Sequence, residues 1–165
     1  MRFNNKSCIG DRCWLSQCGF TLVELMITVA LLAIVLSLGV PSFRQMIVDN
    51  RMTSHANLLV TSLNVARSEA INRSDSVTVT ATSGTNWHLG WSAATSSGTT
   101  LRSQSAFKGG ATLVGTAGNL TFSSTGYLSG AAVTFDLCDA EATTERRITV
   151  VPGGRVNLDT SHVCP

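Results

Sequence analysis

Glu24 is the residue whose type and position most clearly call for a chemical explanation. It lies near the start of segment 20–40, whose other polar residues are only Thr21, Thr28 and Ser37. A carboxylate inside a membrane-spanning helix costs about 3 kcal/mol on insertion scales unless it is paired or stays near the interface. The position therefore predicts that this carboxylate has a function.

The five cysteines fall into two groups on either side of the same apolar segment. Cys8, Cys13 and Cys18 precede it, and their spacing scatters them around a helix with no nearby histidine, which disfavours a metal site. We expect them to stay reduced in an inert leader. Cys138 and Cys164 follow the segment, and an even number of thiols beyond a membrane is typical of a disulfide in an oxidising compartment. Their bridge would contribute roughly 3–4 kcal/mol in the loop-entropy model.

The other groups capable of chemistry form no recognisable catalytic or metal-binding motif. The sequence contains no Gly-x-Ser-x-Gly elbow, no His-Glu-x-x-His helix and no phosphate-binding glycine loop. His55, His88 and His162 are scattered, and the acidic residues around Cys138 are too irregularly spaced for a calcium-binding loop. We therefore expect no enzymatic activity, no cofactor and no metal.

The net positive charge of the chain comes entirely from its first residues. The formal net charge is +2, and Arg2, Lys6 and Arg12 against Asp11 account for all of the excess. A neutral remainder disfavours strong non-specific attraction to nucleic acid. A hydrophobic content of 44% with only 13% charged residues excludes a disordered chain.

Residues 20–40 form the element that must position Glu24. As a helix this apolar segment is about 30 Å long, which matches the hydrocarbon thickness of a bilayer. The basic leader, residues 1–19, should stay in the cytoplasm and direct the rest outward. A cleaved secretory signal is disfavoured because the run is too long and no convincing small-x-small cleavage site stands before a change of composition. An ordinary signal anchor is disfavoured because it does not explain the carboxylate of Glu24 within the apolar run.

The helical pattern continues beyond Pro41, which should bend or locally unwind the helix just after the apolar run. Apolar residues then recur at alternating spacings of four and three, which predicts an amphipathic helix within residues 41–73. We expect this apolar stripe to pack against the domain that follows. Its members are Met52, Ala56, Leu59, Leu63, Ala66 and Ala70.

From Ser76 onward the period of the pattern changes to two. Short alternating segments separated by turn residues predict an antiparallel β domain of about seven to nine strands in residues 74–165. The fold class is therefore α+β, with a long N-terminal helix packed on a small antiparallel β domain. We expect Trp87 and Trp91 in its core, and Gly126, Gly153 and Gly154 in turns. The predicted strand segments are SVTVTAT, WHLGWSA, TTLRSQS, ATLVG, NLTFSS, GYL, AAVTFDL, RRITVV and GRVNL.

The string GFTLVEL, at positions 19–25, resembles the class III signal of type IV prepilins and type II secretion pseudopilins. The resemblance implies that a prepilin peptidase cuts after Gly19 and methylates the new amino terminus of Phe20. It also implies that Glu24 pairs with the amino terminus of a neighbouring subunit during assembly. Pro41 lies where that family places its helix-breaking proline.

The rest of the chain resembles the FimT, FimU and secretion-pathway H subunits, which are minor pilins and minor pseudopilins. The resemblance implies a pilin-like fold and a subunit that initiates or caps a type IV pilus used in twitching motility. Its partners would be the peptidase, other minor and major pilins or pseudopilins, and an inner-membrane assembly platform. It would cross the inner membrane once, with its C-terminal domain in the periplasm, before entering the fibre. The resembling stretches are LNVARSEAINR (63–73), WHLGW (87–91), LTFSSTGYL (120–128) and RRITVVPGGRVNL (146–158).

Two alternative functions remain open at this point. The first is an H-type pseudopilin for protein export by a type II secretion system. The second is a DNA-binding pilin for natural transformation, because some FimT-like pilins bind DNA through a C-terminal Gly-Arg-x-Arg element. Here that element matches at Gly154 and Arg155, but Asn157 replaces the second arginine. Arg146 and Arg147 would contribute if their strand lies beside this loop.

Overall fold

The computed structural model describes residues 20–164 of the chain. The predicted leader with Gly19 and its three cysteines lies outside the described residues. The chain divides into two compact units between Val40 and Pro41. The elements in order are α1 (Leu22–Arg73), a 3-10 turn η1 (Trp87–Leu89), and the strands β1 (Val77–Ala81), β2 (Gly90–Thr95), β3 (Thr100–Ser105), β4 (Thr112–Gly115), β5 (Asn119–Phe122), β6 (Val133–Cys138), β7 (Arg146–Val150) and β8 (Val156–Asp159).

Helix α1 begins with a cap supplied by Thr21. The backbone N–H of Glu24 donates to Thr21 Oγ1 at 3.1 Å, and the N–H of Leu25 donates to the Thr21 carbonyl at 3.1 Å. Threonine and glutamate three residues apart are the sequence of a capping box. The hydroxyls of Thr28 and Ser37 donate to carbonyls of their own helix, at 2.8 Å and 2.7 Å. The hydroxyls of these two residues are thus compatible with a lipid environment.

Helix α1 runs without interruption through Pro41. Of the two effects predicted for Pro41, local unwinding is therefore wrong, whereas a bend of the helix stays a prediction. A proline removes one intrahelical hydrogen bond and strains one turn, and the turns on both sides retain their own bonds, so the helix continues.

The second half of α1 forms one wall of the core of the unit that begins at Pro41. All six residues of the predicted apolar stripe are at most 1% exposed, which confirms the prediction. They form a single cluster with inward-facing residues of both sheets. Among the residues whose burial the structure describes, all of the buried apolar ones lie between Val48 and Val150. The unit therefore contains its own complete core, which is the property of an independently folding domain.

Two four-stranded antiparallel sheets carry the rest of this core, one with the order β3-β2-β1-β5 and the other with β4-β6-β7-β8. Alternate residues of β6 are buried, as expected for strands with one face on a core. Trp87 and Trp91 are both buried, which confirms the prediction for them. The strand prediction is wrong at two places: WHL forms η1 before β2 begins, and GYL contributes only an isolated bridge between Phe122 and Leu128.

Arg67 ties α1 to two turns of the β domain. Its Nε donates to the carbonyl of Gly126 at 2.9 Å, and its Nη2 donates to the carbonyl of Gly153 at 3.2 Å. Gly126 and Gly154 adopt φ of +79° and +74°, as predicted for turns, whereas Gly153 has no positive φ. A Cβ on Gly154 would collide with the carbonyl of Gly126. We call Arg67 with these three glycines the arginine clasp.

Loss of the clasp should destabilise the domain measurably. Arg67→Ala leaves two carbonyls without their donor, so we expect the free energy of unfolding to fall by about 2 kcal/mol, as for hydrogen bonds to a charged group. Urea unfolding of the unit from Pro41 onward measures this change.

Arg73→Ala is the matched control for Arg67→Ala, because Arg73 lies on the same helix and pairs only with Glu69, at 2.6 Å and four residues away. Exposed pairs of this type contribute less than about 0.5 kcal/mol. Equal losses for the two variants would contradict a specific role of the clasp.

Candidate functional site

The N-terminal turn of α1 holds the residues predicted to act in processing and assembly. Phe20 is 79% exposed, and Glu24 is also exposed. The surrounding large apolar side chains are exposed as well, and α1 is the one helix in residues 20–164 long and apolar enough to cross a membrane. They include Leu22, Val23, Leu25, Met26, Ile27, Val29, Leu31, Leu32, Ile34 and Val35.

Glu24 finds no positive partner within its own described chain. None of the ion pairs in residues 20–164 involves it. The first basic residue that follows it in the sequence is Arg44, on the other side of Pro41. Within residues 20–164, Glu24 thus has no basic side chain as an ion-pair partner.

A disulfide joins Cys138, at the end of β6, to Cys164, with a Cα–Cα distance of 6.2 Å. The backbone N–H of Cys164 also donates to the Glu145 carboxylate. The segment after β8 is thereby fastened to the loop between β6 and β7. Sequence analysis proposed this pairing from the compartment of the two thiols, and the geometry is compatible with it.

A polar face of α1 holds the other side of that loop. Asp49 accepts hydrogen bonds from the hydroxyl of Thr143 at 2.6 Å and from its backbone N–H at 3.0 Å. These bonds hold the pKa of the Asp49 carboxyl below its usual range. Gln45, one turn earlier, donates from Nε2 to the Glu141 carbonyl at 2.6 Å. The β6–β7 loop is therefore clamped between helix and disulfide.

The three arginines considered for DNA contact are not brought together. Arg155 is exposed in the turn between β7 and β8, whereas Arg146 and Arg147 lie at the opposite end of β7. Arg147 makes a bidentate pair with Asp136, at 2.7 Å and 3.1 Å. Arg146 donates to Thr53 Oγ1 at 2.8 Å. Their strand β7 leads into the Arg155 turn, but Arg146 and Arg147 lie at its other end, and DNA contact by these three arginines stays a prediction.

His55 lies in an aromatic cluster rather than in a catalytic arrangement. Its ring stacks on Phe107 with centroids 3.8 Å apart, and Phe107 meets the edge of Trp91 at 5.8 Å. Burial lowers the pKa of the His55 imidazole, and the nearby charge of Arg51 acts in the same direction. The backbone of Lys108 and the charge of Asp139 oppose this effect more weakly.

Comparisons with known proteins decide the family. The profile of the GspH family, described as type II transport protein GspH, matches residues 55–154, which is more than half of the chain. The chain belongs to the GspH family. A second profile, the prokaryotic N-terminal methylation motif, matches residues 14–40 of this GspH-family chain. No curated protein sequence matches it.

Two crystal structures of the type IV minor pilin FimU of Pseudomonas aeruginosa are similar to this GspH-family chain. One is 28% identical with a TM-score of 0.62, and the match covers 70% of this chain and 93% of FimU. The other crystal form is also 28% identical, with a TM-score of 0.59 and coverages of 68% and 96%. These findings confirm the predicted resemblance to minor pilins and the α+β pilin-like fold.

Sequence reasoning missed two features of the GspH-family chain. The Thr21 cap had a visible signal, because threonine precedes Glu24 by three residues. The arginine clasp had none, since Arg67 and its two carbonyl acceptors are 59 and 86 positions apart in sequence. It joins three of the four stretches by which the chain resembles its family, LNVARSEAINR, LTFSSTGYL and RRITVVPGGRVNL.

The disulfide should contribute most of the stability of the clamped loop. Cys138→Ser opens a loop whose ends are 26 positions apart, so we expect the free energy of unfolding to fall by about 3 kcal/mol. Denaturant unfolding of the unit from Pro41 onward, with and without reductant, measures this. The double variant Cys138→Ser/Cys164→Ser should resemble the reduced native unit and not respond to reductant. An unfolding midpoint of the native unit that reductant leaves unchanged would refute the role of the bridge.

The His55 site should make the domain sensitive to acid. Because the folded pKa lies below the ordinary value of 6.5, the unfolded state takes up its proton first as the pH falls. Stability is then lost as the pH falls below about 6.5. We expect the melting temperature to decrease between about pH 7.5 and pH 5.5, and His55→Gln to flatten that slope whatever its effect on stability at neutral pH.

Proposed function

We propose that this chain is a minor subunit that helps to initiate or cap a type IV pilus after removal of residues 1–19. The observation that carries the proposal is the N-terminal methylation motif, matched over residues 14–40, at the start of a long helix whose apolar side chains are exposed. A folded domain with its own core follows. The similarity to the minor pilin FimU supports a pilus rather than another fibre.

The exposed apolar helix has to be covered in two successive stages, first by the membrane and then by other subunits. In the first stage the bilayer covers segment 20–40, with the leader in the cytoplasm and the domain in the periplasm. Prepilin peptidase then cuts after Gly19, where the absence of a side chain permits close approach to the backbone, and methylates the amino group of Phe20. In the second stage the helices of neighbouring subunits replace lipid around the same residues.

In the second stage, Glu24 favours the one alignment of neighbouring subunits in which its carboxylate meets an amino terminus. Its carboxylate has no basic partner within residues 20–164, so it remains uncompensated in an apolar bundle unless an amino terminus approaches it. The positively charged amino group of Phe20 in an adjacent subunit supplies that charge. A misaligned subunit leaves both charges unpaired, at a cost of several kcal/mol. The Thr21 cap places Glu24 in the first turn of the helix, close to the level of Phe20.

An H-type pseudopilin of a type II secretion system is the second candidate, because the matching family is described as a type II transport protein. Both systems use the same processing and the same helical assembly. Genes for other minor pilins and a tip adhesin beside this gene would support the pilus. A neighbouring operon of a secretin and secretion components would support export.

DNA uptake is the weaker alternative. Arg155 is exposed and available for a phosphate contact, but Asn157 offers no second charge and is exposed on the adjoining strand. Arg147 is neutralised by Asp136. Salt-sensitive retention of DNA by the unit from Pro41 onward, lost in Arg155→Ala, would revive it.

A substitution of Glu24 should impair assembly without impairing processing. Glu24→Ala should be trimmed normally but be incorporated into sheared fibres at least about tenfold less, since removing one partner of a buried ion pair costs about 3–5 kcal/mol. Immunoblots of membrane and fibre fractions, with mass spectrometry of the amino terminus, measure both steps.

Two variants control this experiment. Gly19→Val should accumulate as uncut precursor in the membrane, which distinguishes failed processing from failed assembly. Thr28→Ala alters a polar residue of the same helix whose hydroxyl is already bonded to Leu25, so its incorporation should be close to normal. Undiminished incorporation of Glu24→Ala, or a native amino terminus other than Phe20, would refute the proposal.

A further inference from the structure

The loop between β3 and β4, residues 106–111, closes over His55 through one large side chain. Phe107 stacks on the His55 ring with centroids 3.8 Å apart and an interplanar angle of 11°, and it meets Trp91 edge-on at 5.8 Å. His55 is only 9% exposed and Trp91 only 2%. We call residues 106–111 the lid, because Phe107 covers the His55 ring.

The lid is attached to the rest of the domain by few hydrogen bonds. The N–H of Phe107 donates to the His88 carbonyl at 2.8 Å. Within residues 20–164, no backbone hydrogen bond involves Lys108, Gly109 or Gly110. Gly109 adopts φ of +105°, a conformation that glycine reaches without strain. Two adjacent glycines without ladder bonds can absorb the backbone rotation of a hinge, so the lid can move while β3 and β4 stay paired.

The imidazole under the lid has no partner for its polar atoms. In the part of the chain that the structure describes, neither Nδ1 nor Nε2 of His55 has a hydrogen-bond partner, although both are buried. Protonation would turn both nitrogens into donors. A buried donor that stays unpaired costs about 1–3 kcal/mol, and more when it is charged. A protonated His55 therefore needs water, which the closed lid keeps away.

The charged groups around His55 do not supply the missing partner. Arg51, one turn earlier on α1, opposes a positive charge on the imidazole, and its guanidinium occupies the space that a Cβ on Gly109 would need. Asp139, which follows β6, favours that charge but has the weakest effect on the imidazole. The backbone of Lys108 also favours it, whereas the exposed side chain of Lys108 adds a cation to the lid. Burial outweighs these contributions, so the pKa of His55 lies below its ordinary value.

Cation–π attraction favours the closed lid but is too weak to retain it. An imidazolium stacked on the Phe107 ring would gain about 0.5–2 kcal/mol. The effective penalty for burying an ion is several kcal/mol, and the two unpaired donors add to it. His55 lies on a helix whose neighbouring Met52, Ala56 and Leu59 are at most 1% exposed, which fixes its position. Phe107 lies on the hinged lid, so the lid is the part that moves.

We propose that the lid is an acid-operated switch, in which protonation of His55 separates it from Phe107 and opens residues 106–111 while both sheets stay folded. Opening exposes the edge of Trp91 and hydrates the His55 ring. The effect differs from the loss of global stability with acid, because it requires no unfolding of the core. It concerns the folded domain alone and does not depend on the proposed role in a pilus.

Hydrogen exchange at the Phe107 amide tests the switch. In the open lid an imidazole with the ordinary pKa of 6.5 favours opening about tenfold at pH 5.5 and hardly at pH 7.5. In the unit from Pro41 onward, the protection factor of the Phe107 N–H, corrected for intrinsic exchange, should therefore fall by up to about tenfold between these pH values. His55→Gln removes the titrating group and should abolish this fall. A protection factor that acid leaves unchanged in the native unit, or a fall that persists in His55→Gln, would overturn the proposal.

Urea distinguishes lid opening from global unfolding. Amides in the ladder between β6 and β7 report exchange through global unfolding, which urea accelerates in proportion to the surface exposed. The Phe107 amide should be less protected than these amides at both pH values, and low urea concentrations should leave its exchange nearly unchanged. If Phe107 shows the same protection and the same urea dependence as the β6–β7 ladder, there is no separate lid, even if acid accelerates both.

Phe107→Ala provides the reciprocal test without a substitution in the helix. Loss of the stacked ring hydrates the His55 imidazole, so its NMR titration midpoint should move up from the native value toward 6.5. Leu101→Ala, which shortens another half-buried side chain on the preceding strand β3, is the matched control and should leave the midpoint unchanged. A native midpoint already at 6.5, or one that Phe107→Ala does not move in a unit that melts cooperatively, would contradict the assignment.

Discussion

The central physical constraint on this protein is that the first half of α1 is apolar on all sides and contains one carboxylate. Its large side chains are exposed in the isolated chain, and an apolar surface of this extent is stable only in lipid or against other helices. Glu24 adds a condition to that requirement, because an apolar environment tolerates the charge only with a partner. We therefore propose that membrane insertion and helical assembly use the same residues in succession.

The domain that begins at Pro41 is stabilised by long-range contacts in addition to its hydrophobic core. The stripe on α1 supplies one wall of the core. Three sets of long-range hydrogen bonds or covalent links stabilise the outer parts of the domain. The arginine clasp fixes the helix to two turns, Asp49 and Gln45 hold the β6–β7 loop, and the disulfide fastens the C-terminal segment. A small domain with a light, alanine-rich core benefits from such ties.

The matches to the GspH family and to the minor pilin FimU agree with this division of the molecule. The methylation profile covers the region around Glu24, and the GspH profile covers the end of the helix and the β domain through Gly154. It stops just before β8.

The sequence by itself determined the features that depend on local pattern. The stripe from Met52 to Ala70 follows from helical periodicity, the strands from period two, and the functional carboxylate from a charge within an apolar run. Only the tertiary structure decided which distant residues meet. Arg67 reaches two turns far along the chain, and Arg146 and Arg147 lie at the far end of the hairpin from Arg155. Helices and strands have periods of only a few residues, so their patterns can be recognised in the sequence. The long-range contacts depend instead on the order and register of the strands, which arise from the packing of the whole domain.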